Sequence, residues 1–141
     1  MKYVIDCSTA LKWVVAETDS PKAIRLRNDF RNGVHQLLAP DLFPTEVGNA
    51  LLIIERRKRI ARGDGALFFA DVLTTRPIFH DAIPLLPRAY AIAHRHQASV
   101  YDCLYVALAE REQCEFVTAD GRLMNNLQAT FPFIVALSSF P

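Results

Sequence analysis

The sequence predicts an α/β protein built on a mostly parallel sheet of about five strands, with helices on both faces. Three observations carry that expectation. Short runs rich in apolar and β-branched residues alternate with longer stretches of helical periodicity. The short runs are apolar throughout instead of alternating with polar residues, as strands covered on both sides are. At least two of them end at or just before an aspartate that is followed by helix-starting residues.

Lys2 to Ile5 is the first such run, and Asp6 with Ser8 and Thr9 turns it into a first helix whose inner face is expected to hold Leu11, Val14 and Val15. Thr18-Asp19-Ser20-Pro21 supplies a break, a cap and a first-turn proline for a second helix through about Arg31, stopped by Asn32-Gly33. Gln36 to Ala39 reads as strand two, closed by Pro40. Asp41 is the expected cap of a long helix ending near Arg59, in which Pro44 is tolerable because it falls in the first turn. Gly63-Asp64-Gly65 opens a helix over Ala66 to Thr75, and a short extended piece follows at Ile78-Phe79. Pro84 to Gln97 and Ser99 to Gln113 are helical by pattern, and Glu115 to Thr118 is a compact strand. A helix from Arg122 to Gln128 and a strand from Phe133 to Leu137 complete the chain.

The 141 residues suit one domain, 1–141, without internal repeat or linker. Half the residues are hydrophobic (51%), enough for a sizeable core with apolar surface to spare. The amino terminus meets Asp6 after three apolar residues, which argues against a signal peptide, and no apolar run approaches the ~20 residues of a membrane span. Cys7, Cys103 and Cys114 form no CxxC pair, so a reducing cytoplasm is the expected location, and His94 and His96 have no partners for a zinc set. A net charge of +1 does not by itself advertise nucleic-acid binding, but Arg56-Arg57-Lys58-Arg59 with Arg62 forms a local basic cluster.

Four carboxylates are placed by this reading at one edge of the sheet. Asp6 ends strand one and Asp120 follows strand four, where ligand crevices of open parallel sheets lie. Glu46 is about one turn into the helix after strand two, and Asp102 is in the first turn of the helix that begins at Ser99. Each taken singly also reads as a helix cap or a dipole partner; Ser99-Val100-Tyr101-Asp102 even has the form of a capping box. Crowded together, they would repel unless a hard divalent cation neutralised them. Ser8, Asn49 and Thr118 stand at offsets suited to orienting such ligands, Asn49 lying on the same helix face as Glu46.

Asp6-Cys7-Ser8, the stretch from Pro40 through Glu46 and Asn49 to Leu51, Tyr101 to Ala109 around Asp102, and Thr118-Ala119-Asp120-Gly121-Arg122-Leu123 together resemble the four acidic motifs of PIN domains, closest to the VapC-type toxin branch. The likeness runs in order from the second residue to the final strand. It implies a three-layer α/β/α sandwich and a Mg²⁺- or Mn²⁺-dependent endoribonuclease with Asp6, Glu46, Asp102 and Asp120 as catalytic, metal-holding residues, supported by Ser8 and Thr118. It also implies the toxin of a toxin–antitoxin pair, with an antitoxin partner and a homodimer. Cys7, where that branch often has a residue such as Ala, is a mild departure.

On that reading the metal activates water and stabilises charge on the phosphate, and no side-chain nucleophile is needed. Arg56, Arg57, Lys58, Arg59, Arg62, Arg95 and Arg122 are the candidate RNA contacts. Leu51 to Ile54 and Leu67 to Phe69 are more apolar than one sheet can cover, which points to a partner helix or a second copy. A receiver or dehalogenase-like phosphotransfer domain would share the first aspartate, but the chain has Ser8 where the latter needs a second aspartate, and it lacks the acidic pair of the former. A PIN nuclease of RNA maturation, or a catalytically silent PIN-like binding module, are the remaining alternatives; the silent module is disfavoured by the retention of all four acidic residues.

Overall fold

A computed structural model describes all 141 residues. Strands β1 (Lys2–Ile5), β2 (Gln36–Pro40), β3 (Ile78–His80), β4 (Glu115–Thr118) and β5 (Ile134–Ala136) form one parallel sheet in the order β3-β2-β1-β4-β5. The chain builds outward from β1 to β2 and β3, then crosses to the other side for β4 and β5. The topological switch therefore lies between β1 and β4, with Val4 in register with Phe116 and Ile5 with Val117. That is where a doubly wound sheet opens a crevice beyond its strand ends. Successive residues of a strand face opposite sides, and Tyr3, Val4 and Ile5 are all buried, so helices cover both faces as expected. Each of these side chains contributes about 1.5–3 kcal/mol on burial.

The helices are α1 (Cys7–Leu11), α2 (Ser20–Arg31), α3 (Phe43–Arg56), α4 (Asp64–Val72), α5 (Leu86–His96), α6 (Val100–Glu112) and α7 (Gly121–Leu127). The first is shorter than its sequence suggests. It stops after five residues, so Trp13 in the following turn is the buried residue, and Val14 and Val15 are only partly covered. Trp13 gains a partner for its indole N–H in the Ala23 carbonyl, 3.0 Å away, a tertiary bond that outweighs local periodicity. Asp19 does not cap α2 with its side chain; Ser20 Oγ accepts from Glu17 N instead. Gly33 at φ +75° then lets the chain leave α2 in a conformation few other residues accept.

Two further caps differ from expectation. Asp41 makes no side-chain cap for α3, whose first residue is Phe43: the N-cap position falls on Leu42, while Asp41 donates its backbone N–H to the His80 carbonyl at the sheet edge. The start of α4 is capped from a distance: Glu55 Oε1 accepts from Gly63 N (3.0 Å) and Gly65 N (2.9 Å), placing a negative charge at the positive helix end. Gly48 permits the resulting α3–α4 hairpin to close, since a Cβ there would lie 2.9 Å from the Phe69 ring. Within the hairpin Leu51 and Ile54 are buried, whereas Leu52, Ile53 and Leu67 remain exposed, Leu67 at 69%. Helix α6 is enclosed almost completely, with every residue from Cys103 to Ala109 buried.

Candidate active site

Asp6 closes β1 and caps α1. Its Oδ1 accepts from Ser8 Oγ (2.6 Å) and Thr9 N (3.3 Å), and its Oδ2 accepts from Thr118 Oγ1 (2.6 Å). A hydroxyl has a single proton, so with both protons given to Asp6 the two hydroxyl oxygens must accept elsewhere. They do: Ser8 Oγ takes the Ala119 N–H (3.0 Å) and Thr118 Oγ1 takes the Asp120 N–H (3.1 Å). The 3.2 Å approach of Ser8 and Thr118 is then a contact between neighbouring oxygens. This lattice ties the end of β1 to the end of β4 across the switch point. Ser8 and Thr118 are thus the two hydroxyls that hold the Asp6 carboxylate.

Asp120 is the N-cap of α7, accepting through Oδ1 from Arg122 N (3.0 Å) and Leu123 N (3.2 Å). Asp102 lies in the first turn of α6, where Ser99 Oγ accepts its backbone N–H at 3.0 Å. The capping reading of these residues is therefore correct, and it does not use up their charge. Glu46, one turn into α3, accepts at Oε1 from the phenol of Tyr105 at 2.9 Å. Asn49 is exposed and takes no part in these hydrogen bonds.

The electrostatics link all four. Burial, with Asp120 nearby, pushes Asp6 up to about 6 despite the hydrogen bonds from Ser8, Thr118 and Thr9. Burial also raises Glu46, followed by the charges of Asp102 and Asp6, while the Tyr105 bond opposes. Asp102 is raised by burial and then by Asp120, with the Ser99 hydroxyl opposing. The influences link Asp6 with Asp120, Asp120 with Asp102, Asp102 with Glu46 and Glu46 with Asp6, each a carboxylate acting on a carboxylate. As the side chains stand, no three His, Cys, Asp or Glu groups are gathered closely enough to hold a metal ion, so a shared cation would require the carboxylates to turn toward one another. The donors are all oxygen, which fits a small hard divalent cation better than zinc.

Cys7 sits inside this field. Burial first, then Asp6 and Glu46, raise its thiol far above the ordinary range, so it stays protonated and is a poor nucleophile. A groove beside the cluster is lined by Ser99, Asp102, Asp120, Arg122 and Asn126, and a second hollow by Lys12, Thr118 and Asp120. Of the basic residues expected to meet substrate, Arg122 is the one that shares a groove with the carboxylates. Arg56 ends α3 and Arg57 to Arg59 follow it, ten or more residues beyond Glu46, so Arg56 is about 15 Å along the helix from Glu46. Arg56, Lys58, Arg59 and Arg62 line a separate hollow, where Arg59 is paired with Glu17 at 2.9 Å. Arg95 is exposed on α5.

Sequence reasoning missed two residues here. Lys12 lines the hollow beside Thr118 and Asp120, its ammonium held by Glu17 Oε2 (3.1 Å) and Thr18 O (2.8 Å), and nothing in its local sequence announces it. Tyr105 did carry a signal, being three residues after Asp102 and the one strong hydrogen-bond donor among the side chains of a fully apolar helical run.

Comparison with known proteins gives a consistent result. The profile of the PIN domain matches residues 3–127. A VapC ribonuclease of Mycobacterium bovis is 30% identical over 132 residues, covering 94% of this chain and 96% of that protein. Among solved structures, PAE2754 of Pyrobaculum aerophilum superposes with a TM-score of 0.71 at 21% identity, covering 99% of this chain and 85% of that one. VapC20 of Mycobacterium tuberculosis, described as a toxin that cleaves the sarcin–ricin loop, superposes with a TM-score of 0.66 at 14% identity, covering 99% of each chain. At those identities the two structures speak for the fold.

Proposed function

The chain belongs to the PIN-domain family, and from that premise we propose that it is a Mg²⁺- or Mn²⁺-dependent endoribonuclease acting as the toxin of a toxin–antitoxin pair. One observation carries the proposal: four carboxylates from the ends or starts of β1, α3, α6 and α7 lie within one another's field, and the charges that raise Asp6, Glu46 and Asp102 are all carboxylates. The ribonuclease activity of the VapC relative at 30% identity supports the choice of RNA as substrate.

Asp6, Glu46, Asp102 and Asp120 would hold the cation. When bound it offsets their repulsion, stabilises charge on the phosphate and makes water more acidic. The chain's own residues supply orientation. Ser8 and Thr118 lock Asp6 while leaving one acceptor position on its Oδ2. The N–H groups of α7 hold Asp120 by Oδ1, so Oδ2 is available. Hydrolysis there would join the oxygen of water to phosphorus and break one P–O ester bond, the proton lost by the water passing through a neighbouring carboxylate or solvent to the departing oxygen. Arg122, beside Asp102 and Asp120, is placed to contact an adjacent phosphate.

The exposed Leu52, Ile53, Leu67 and Leu73 on the α3–α4 hairpin support an apolar protein partner, either the antitoxin or a second copy. No helix is long and apolar enough to cross a membrane, and a cytoplasmic location is part of the proposal. The test is cleavage of RNA by the purified chain with Mg²⁺ or Mn²⁺. Cleavage is expected with the ion and lost in excess chelator; cleavage undiminished by chelator would overturn the mechanism.

A further inference from the structure

We propose that Tyr105 is a positioning residue for Glu46, its buried hydroxyl holding one carboxylate oxygen inward so that the other is presented to a divalent cation. The inference rests on the metal-site reading above. Its starting point is an asymmetry among the four carboxylates. Asp6 is fixed by two hydroxyls and an N–H, and Asp120 by two N–H groups. Glu46 has a longer side chain than either, and the Tyr105 phenol is its one side-chain hydrogen-bond partner.

Tyr105 is well built for this. The residue is 1% exposed and its ring stacks on Phe116 of β4, with centroids 5.9 Å apart and an interplanar angle of 19°. The phenol therefore has almost no freedom, being held by the enclosed α6 on one side and by the sheet on the other. Its hydroxyl finds its acceptor in Glu46 Oε1 at 2.9 Å, across 59 residues of sequence. An O–H in such surroundings needs an acceptor, so the contact is strongly favoured, and Oε2 is left outside it. Carboxylates that bind metals are commonly oriented by such outer hydrogen bonds. If the bond served only to satisfy a buried phenol, removing the hydroxyl would leave ion binding unchanged.

Calorimetric titration of the full chain with Mn²⁺ separates the two roles. Tyr105→Phe keeps the ring and its stacking, and is expected to weaken Mn²⁺ binding by about tenfold. Glu46→Gln is also expected to weaken it. In the double variant the two losses should not add, since the phenol acts through Glu46. Wild-type affinity in Tyr105→Phe, or full additivity in the double variant, overturns the inference and leaves the metal site standing. Absence of Mn²⁺ binding by the wild type would instead remove the metal-site reading and this inference with it. Should Tyr105→Phe not fold, Tyr105→Met removes the hydroxyl while an adaptable apolar side chain fills the enclosed space and Glu46 is left intact. Reduced Mn²⁺ affinity in that variant supports the role, and undiminished affinity overturns it.

Discussion

Arg27 and Asp6 are both charged side chains almost closed off from solvent, 5% and 7% exposed, and the protein treats them in opposite ways. Arg27 donates from Nε to Thr75 Oγ1 (2.7 Å) and from Nη2 to Asp71 O (2.7 Å), Asp71 Oδ1 (3.0 Å) and Thr74 Oγ1 (3.2 Å). Its guanidinium also lies 4.8 Å from the centroid of the Trp13 ring. Burial lowers its pKa, and Asp71 counters that. Opposite charge, acceptors and an aromatic face close the site completely, and its work is to bind α2 to the end of α4. Asp6 has donors of its own, but the nearby charges are carboxylates. A charge that only builds the fold is met by a countercharge; at the carboxyl edge of the sheet the carboxylates act on one another, with Arg122 and a Lys12 already paired to Glu17 at the rim. That contrast argues for a bound cation.

The contrast can be broken most sharply by neutralising each charge. Asp6→Asn is expected to reduce RNA cleavage by about 10²–10³-fold, measured as initial rate in Mn²⁺. Arg27→Met should do the reverse, destabilising the fold by about 3 kcal/mol in urea denaturation. Cleavage by the fraction still folded should stay close to wild type. A smaller effect sharpens the comparison through pH. The folded-state value of Asp6, about 6, lies above its ordinary 3.8, so the folded protein binds that proton more tightly than the unfolded chain does. Its contribution is fully present below about pH 4 and is lost as pH rises through about 6, a loss of about 3 kcal/mol before compensation. In chelator at pH 7.5, Asp6→Asn should therefore be more stable than wild type by about 1–2 kcal/mol, the Ser8 and Thr118 bonds being only partly retained. Equal or lower stability of the variant would mean that the Asp6 charge is already compensated.

Much of the sheet was legible because its strands are short apolar runs with turn residues at both ends: Lys2 to Ile5 and Glu115 to Thr118 lie where the sequence puts them. Asp6, Ser8, Thr118 and Asp120 were legible for the same reason, since strand ends fix which residues reach the crevice. The misreadings have a common cause in contacts distant along the chain. Trp13 replaces Val14 and Val15 in the core because its N–H reaches Ala23. The start of α3 falls one residue past the position Asp41 would cap, with the Asp41 main chain bonded to β3, and α4 is capped by Glu55 from the preceding helix. Tyr105 could be seen as the one phenol in the apolar run from Cys103 to Ala109, but its acceptor 59 residues away could not. Asn49 shares a helix face with Glu46 by spacing, yet that spacing does not say which part of the face meets the cleft.

The account turns on the four carboxylates sharing one cation-binding place, and the most direct measurement is anomalous diffraction from crystals of the wild-type chain soaked in Mn²⁺. The expected result is a manganese peak within bonding distance of oxygens from Asp6, Asp102 or Asp120, with Glu46 turned toward it. Manganese confined to other parts of the surface, with these carboxylates unmoved, would contradict it.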